Sequence, residues 1–79
     1  MLMTAYLNIR VDGTLKESIP LYSIANSLAN AKKEWAENIK KELELRHCSQ
    51  VAVPEQVKYG WKAELAPYSF NLTEKQPRK

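Results

Sequence analysis

His47 and Cys48 are the single histidine and the single cysteine of this 79-residue chain, and they are neighbours. A histidine can take the proton of a nearby thiol and leave a reactive thiolate, which is the chemistry of cysteine nucleophiles. Adjacency in sequence does not place the imidazole on the sulfur. A helix-end histidine beside a partly buried structural cysteine is the simpler explanation, so we predict no catalytic residue and no enzyme activity. An enzyme built around Cys48 and His47 stays as a third hypothesis.

Metal and nucleotide sites have little support in the composition. With one histidine and one cysteine, a metal site would need carboxylates gathered from separate elements. Gly13 and Gly60 are the only glycines, and neither opens a predicted helix, whereas phosphate-binding loops need glycines at that place. We therefore predict no metal and no cofactor.

Basic residues recur on the polar side of the predicted strands. Alternation places these side chains on the sheet face that a single helix cannot cover, where four basic residues meet one strand carboxylate, Glu64. The predicted binding residues on this face are Tyr6, Arg10, Lys16, Lys58 and Lys62.

Three explanations of this basic face stay open. Solvated lysines keep an exposed sheet soluble and discourage edge pairing. An acidic groove of a partner protein would match the charge. A single-stranded nucleic acid would place its phosphates on the lysines and stack its bases on the tyrosine.

Two alternating segments at the start predict a β-hairpin. Ala5 to Val11 alternate as a half-buried strand, and Leu15 to Leu21 alternate again, with Pro20 placing the second strand at an edge. A two-residue turn at Asp12-Gly13 would set the two apolar sets on opposite faces. We therefore predict a three-residue loop, Asp12-Gly13-Thr14, which pairs Val11 with Leu15, Leu7 with Ile19 and Ala5 with Leu21.

Residues 27–48, SLANAKKEWAENIKKELELRHC, predict an amphipathic helix. Ser23 and Ser27 are both candidate N-caps, and Ser27 is preferred. Apolar residues recur at spacings of three and four and form one stripe. The stripe consists of Leu28, Ala31, Trp35, Ile39 and Leu43, flanked by Ala29 and Ala36.

Alternation from Val57 to Leu65 predicts a third strand, and Tyr68 to Leu72 suggest a short fourth one. The predicted fold is α+β: an antiparallel three- or four-stranded sheet in the order β-β-α-β, with or without a further strand, and one amphipathic helix packed on one face. The strand order is 2-1-3 or 2-1-3-4. The helix is expected to cover Leu7, Ile9, Leu15, Ile19, Tyr59 and Trp61.

Length and charge predict a single domain over residues 1–73 and a flexible basic tail over residues 74–79. The formal charge is +3, but the tail holds three of the twelve basic residues and one of the nine acidic residues. The body is therefore nearly neutral, which is weak support for a polyanionic partner. One cysteine, no signal-peptide pattern and no long apolar run lead us to expect a cytoplasmic protein without membrane contact.

The predicted function is that of a small non-catalytic interaction module. It would bind a partner protein through the open basic sheet face or an edge strand, and a nucleic-acid-binding domain using the same face is the alternative. The plan of hairpin, helix and returning strand in a short chain resembles that of accessory and inhibitor proteins carried by bacteriophages and mobile elements. This resemblance is one of fold plan alone.

Overall fold

The computed structural model of the protein describes residues 2–77, which form one helix and one antiparallel sheet of four strands. This confirms the predicted α+β class, and the fourth strand is formed. The elements are β1 (Met3–Val11), β2 (Thr14–Ser23), α1 (Leu28–Leu45), β3 (Lys62–Leu65) and β4 (Tyr68–Thr73). Arg78 and Lys79 of the predicted tail lie outside the described residues.

The strand order is β2-β1-β4-β3, so the predicted order is wrong. The chain crosses from the helix to the far edge of the sheet, and β4 then returns between β3 and β1. Burial explains this order. Phe70 and Leu72 of β4 are 2% and 0% exposed, whereas Ala63 and Leu65 of β3 are half-buried. The strand with the larger buried side chains therefore takes the central position.

The hairpin between β1 and β2 has a two-residue turn, so the predicted three-residue loop is wrong. Val11 pairs with Thr14, and both turn residues have positive φ, 52° at Asp12 and 82° at Gly13. Asp-Gly is a favoured sequence for such a turn. A β-bulge at Lys16 then adds one residue to β2, which restores the predicted pairing of Leu7 with Ile19 further along.

The bulge changes which residues face the helix. Ile9 pairs with Glu17, and Arg10 pairs with Leu15. Directly paired residues share a face of the sheet, so Glu17 lies on the helix side and Leu15 on the other side. The prediction that the helix covers Leu15 is therefore wrong.

Helix α1 begins after Ser27, whose hydroxyl accepts a hydrogen bond from the amide of Asn30 at 3.3 Å. This confirms the preferred N-cap. The apolar stripe starts one turn later than predicted, since Leu28 is 43% exposed. The stripe residues that the structure buries are Ala31, Trp35, Ala36, Ile39 and Leu43.

The predicted third strand is shortened to Lys62–Leu65 because its first half is a turn. The amide of Trp61 donates to the carbonyl of Lys58, and Gly60 has a φ of 91°. The amide of Gly60 donates to the carbonyl of Leu72 at 2.7 Å, and the amide of Leu72 donates to the carbonyl of Trp61 at 2.9 Å. Two residues thus oppose one, in a bulge that requires glycine at its first position.

The segment before this bulge closes the side of the core beside the helix. Val57 is fully buried, and its amide donates to the carbonyl of Lys32 on α1. The rings of Tyr59 and Trp35 lie 5.5 Å apart, and the Tyr59 hydroxyl donates to the carbonyl of Thr4. Trp35 is fully buried and Trp61 is half-buried against the core, so both tryptophans belong to the packed interior.

Candidate functional site

The face of the sheet opposite α1, here called the open face, is defined by the strand pairing. Successive strand residues alternate between the two faces, and paired residues share one. Because Ala5, Leu7 and Ile9 pack in the core with the helix, the residues between them belong to the open face. Its members are Thr4, Tyr6, Asn8, Arg10, Leu15, Ser18, Pro20, Tyr22, Lys62, Glu64, Ser69, Asn71 and Thr73.

At the centre of the open face lies a row of polar side chains that hydrogen-bond to one another, here called the closed polar row. Asn8 is fully buried, its amide nitrogen donates to the Thr73 hydroxyl at 2.9 Å, and its amide oxygen accepts from the Ser18 hydroxyl at 2.8 Å. A buried amide must be hydrogen-bonded, because an unpaired one costs about 1–3 kcal/mol. The row therefore ties β2, β1 and β4 together and serves the fold.

A cationic corner lies beside this row and is defined by Arg10 and Lys62. The Arg10 guanidinium donates to the amide oxygen of Asn71 at 3.1 Å. Asn71 pairs with Lys62, and Ser69 pairs with both Arg10 and Glu64. A depression of about 290 Å³ lies among these residues and the backbone of β3 and β4. It holds two cationic side chains and one carboxylate.

The apolar end, here defined at the end of the open face away from the Asp12-Gly13 turn, consists of Tyr22 on that face and of Leu2 and Ile24 just beyond the strands. The side chains of Tyr22, Leu2 and Ile24 are 56%, 59% and 80% exposed. Tyr22 pairs with Thr4 near the open end of the hairpin, and Leu2 and Ile24 lie just beyond the last pair, Met3 with Ser23.

The chain around Ile24 is anchored. Ser23 is 2% exposed, and its hydroxyl donates to the carboxylate of Glu34 on α1. The same hydroxyl accepts from the amide of Ala25 at 3.1 Å, and Ala25 packs against the core. Ile24 is therefore held between two fixed neighbours with its side chain outward.

The structure brings three of the five predicted binding residues onto the open face: Tyr6, Arg10 and Lys62. Lys16 is the extra residue of the β2 bulge and is exposed. Lys58 lies in the turn before β3, between residues that contact the helix, and is not part of the sheet. The open face is therefore less basic than predicted.

Sequence reasoning did not identify the apolar end. Tyr22 has the same strand parity as Ser18 and Pro20, which signalled its face but not its exposure. Leu2 and Ile24 lie outside the strands, where alternation carries no information.

His47 and Cys48 close the C-terminus of α1. His47 has a φ of 58°, and its amide donates to the carbonyl of Glu44 at 3.1 Å. The amide of Cys48 donates to the carbonyl of Leu43 at 2.8 Å. These two bonds form the Schellman arrangement, which satisfies the last carbonyls of a helix. Cys48 is 1% exposed, and its thiol contacts the carbonyl of Arg46 at 3.4 Å.

Within residues 2–77, no cluster of three or more histidine, cysteine or carboxylate side chains could hold a metal ion, and no helix is long and apolar enough to cross a membrane. Searches of protein-family models, curated proteins and solved structures found no match to this chain.

Proposed function

We propose that the protein is a non-catalytic binding module that contacts a partner protein through its open face. The observation that carries the proposal is the apolar end. Three large apolar side chains, each more than half exposed, lie together at one end of the hairpin. Clustered exposed apolar residues mark interaction sites more often than scattered ones do. Tyrosine and large aliphatic side chains are suited to anchor such a contact.

The edges of the sheet are less suited to a partner than its face. Pro20 lies in the edge strand β2 and offers no amide hydrogen to a further strand. The other edge, β3, has four residues and carries the charged Lys62 and Glu64. Short strands, proline and charge are devices that discourage strand addition. The proposal therefore favours the face over edge pairing.

A protein partner also agrees better with the open face than a nucleic acid does. Binding of a single strand relies on a continuous basic groove and stacked aromatic rings. The cationic corner offers Arg10 and Lys62, with the carboxylate of Glu64 beside them. Tyr22, by contrast, lies with two aliphatic side chains that a phosphate backbone would not contact favourably. In this role the protein would act as an accessory or inhibitor protein, in keeping with the resemblance of its plan.

The test is capture of the partner by a tagged full-length chain from nuclease-treated extract of the native host. The double variant Tyr22→Ser with Ile24→Ser removes the apolar end but should stay folded, because both side chains are largely exposed. We expect it to lose the protein that the wild type captures. Leu45→Ser is the matched control, since Leu45 is 75% exposed at the far end of α1.

Loss of the captured protein in the double variant, together with its retention in Leu45→Ser, supports the proposal. Equal capture by all three chains contradicts it. A partner that disappears from the wild type after nuclease treatment would assign the face to a nucleic acid instead.

A further inference from the structure

We infer that Arg10 is the anion-recognition residue of the open face and that it binds a carboxylate of the partner protein. The inference rests on the proposed function and deepens it, because it names the chemistry that the partner must present. It is carried by the orientation of Arg10, by the absence of an internal counter-ion and by the distance to the apolar end.

Arg10 is oriented by neighbouring residues, while most of its guanidinium N–H groups remain available to a ligand. It is half-buried in the central strand β1, with Leu15 paired on one side and Ser69 on the other. One guanidinium nitrogen donates to the Asn71 amide oxygen at 3.1 Å. A guanidinium has several further N–H groups in a planar fork, which matches the two oxygens of a carboxylate. Asn71 therefore orients a donor that is still available.

Arg46 offers a comparison, because it is an arginine whose charge is neutralised within the fold. Its guanidinium lies 2.5 Å from a carboxylate oxygen of Glu17 and 2.7 Å from one of Glu42. Among residues 2–77, no carboxylate lies within 4.0 Å of the Arg10 guanidinium. Glu64 lines the same depression but lies two strands away from Arg10, so that their Cα atoms are about 10 Å apart by ordinary strand spacing. Arg10 is thus a fixed and partly desolvated cation without an internal partner.

The arrangement favours a carboxylate of a protein over a phosphate of a nucleic acid. Arg10, Lys62 and Glu64 leave the depression with one net positive charge, which suits one acidic side chain rather than a row of phosphates. Tyr22 pairs with Thr4, six residues before Arg10 on β1, so the two sites are about 20 Å apart. An extended partner segment could reach both with an apolar residue and an acidic residue roughly six positions apart.

The experiment uses the full chain labelled with ¹⁵N and synthetic peptides as probes. The first is acetyl-Leu-Phe-Ser-Thr-Ser-Thr-Ser-Glu-Glu-amide, and the second has the reversed order, since the direction of the partner is open. Matched peptides carry glutamine in place of glutamate. The Arg10 side-chain Nε–Hε signal, identified by its loss in Arg10→Lys, reports binding directly.

We expect an acidic peptide to shift the Arg10 signal and its glutamine version to bind at least about fivefold more weakly, because charge-assisted bidentate bonds are lost. Arg10→Lys should weaken the acidic peptide by a similar factor, since lysine keeps the charge and loses the fork. Asn71→Ala keeps Arg10 but removes its orientation, so it should also weaken binding. Lys16→Gln is the control. It also removes one positive charge, and we expect it to bind the acidic peptide with unchanged affinity.

Equal binding of acidic and glutamine peptides, unchanged affinity in Arg10→Lys, or no Arg10 shift at millimolar peptide would each overturn the inference. Tighter binding of an oligothymidylate at Arg10 would also overturn it and point to phosphate. None of these results decides the proposed function, which is judged by the Tyr22 and Ile24 variant. If the partner is lost from that variant but is captured equally well by Arg10→Lys, the proposed function is supported and this inference is rejected.

Discussion

His47 and Cys48, the neighbouring histidine and cysteine, close the end of α1 through their backbone amides. His47 takes a left-handed backbone conformation so that its own amide and that of Cys48 can reach the last carbonyls of α1. Cys48 then turns into the core, beside Leu43. Packing of this kind between the residue after the turn and the last helical turn commonly accompanies a Schellman cap.

Replacement of His47 by glycine should therefore stabilise the protein. A left-handed conformation costs a non-glycine residue about 1–2 kcal/mol, and glycine avoids this cost. Glycine also makes the unfolded chain more flexible, which offsets roughly 0.5–1 kcal/mol of the gain. We expect a net gain of roughly 0.5–1 kcal/mol in the free energy of unfolding, measured by urea denaturation. His47→Ala, which keeps the backbone cost, should show no such gain. A loss of stability in His47→Gly would mean that the imidazole makes a contribution of its own.

Tyr59 gives the protein a pH dependence in the alkaline range. Burial raises the pKa of Tyr59 above its ordinary value near 10, and the charge of Glu74 adds to the shift. The unfolded chain then loses the phenol proton first. The contribution of the Tyr59 phenol to the free energy of unfolding is complete below about pH 10 and is lost as the pH rises through the raised native pKa.

Tyr59→Phe should flatten that decline when melting temperatures are followed from pH 8 to 11. The variant will be less stable at neutral pH, by about 0.5–1.5 kcal/mol, because the hydrogen bond to the carbonyl of Thr4 is lost. Tyr22→Phe, which removes an exposed phenol, is the comparison. A decline equally steep in Tyr59→Phe and in the wild type would rule out this source of the pH dependence.

The bulge in β2 connects the hairpin to the end of the helix. Because Lys16 is an additional residue, Glu17 falls opposite Ile9 and faces the helix side, where it meets the Arg46 guanidinium. The hydrogen bond to Glu17 is the largest cause of a raised Arg46 pKa, and Glu42 adds to it. The tight turn and the bulge thus work together, since the turn suits Asp12-Gly13 and the bulge corrects the register that the turn would impose.

Deletion of Lys16 should leave the domain folded. The pairs on both sides of the bulge, Arg10 with Leu15 and Ile9 with Glu17, become consecutive pairs of a regular hairpin, so no apolar side chain changes face. We expect a native-like amide spectrum and a modest change in melting temperature. Insertion of one alanine between Ser18 and Ile19 should instead abolish folding, because it turns Ile19 and Leu21 out of the core. An unfolded deletion variant would show that the local twist of the bulge is itself required.

One helix and one sheet leave this molecule with two unlike surfaces. One face of the sheet packs against the helix and forms the core. The open face carries the apolar end, the closed polar row and the cationic corner. The basic residues differ in their place on the sheet, because Arg10 and Lys62 are paired residues of the open face, whereas Lys16 is the unpaired residue of a bulge and Lys58 lies outside the strands.

Two double variants with the same change in net charge can separate these surfaces. Arg10→Gln with Lys62→Gln should lose the captured partner, and Lys16→Gln with Lys58→Gln should keep it. The three lysines are exposed and contribute little to folding, and Arg10→Gln gives up one side-chain hydrogen bond to Asn71, so both variants should unfold within about 1–2 kcal/mol of the wild type. Equal loss of partner in the two variants would indicate attraction by overall charge, and binding would then fall steeply with salt.

The sequence was informative about the site where the pattern is local. Strand parity placed Tyr6 and Arg10 on the open face, because adjacent residues of a strand must point to opposite sides. It misplaced Lys58, since the burial of Val57 and Tyr59 beside the helix imitates strand alternation. The apolar end was missed because exposure of an apolar side chain depends on whether another element covers it.

The α+β class, the helix with its N-cap at Ser27, and the far register of the first hairpin were determined by the sequence alone. Each depends on periodicity or capping over a few neighbouring residues. The tertiary structure decided the order of the strands, the bulge at Lys16 and the place of Lys62 beside Asn71. These features depend on which segments meet across long stretches of chain, and several arrangements bury the same apolar stripe. The central position of β4 accompanies the burial of Phe70 and Leu72 in the core, a comparison among strands that no single segment contains.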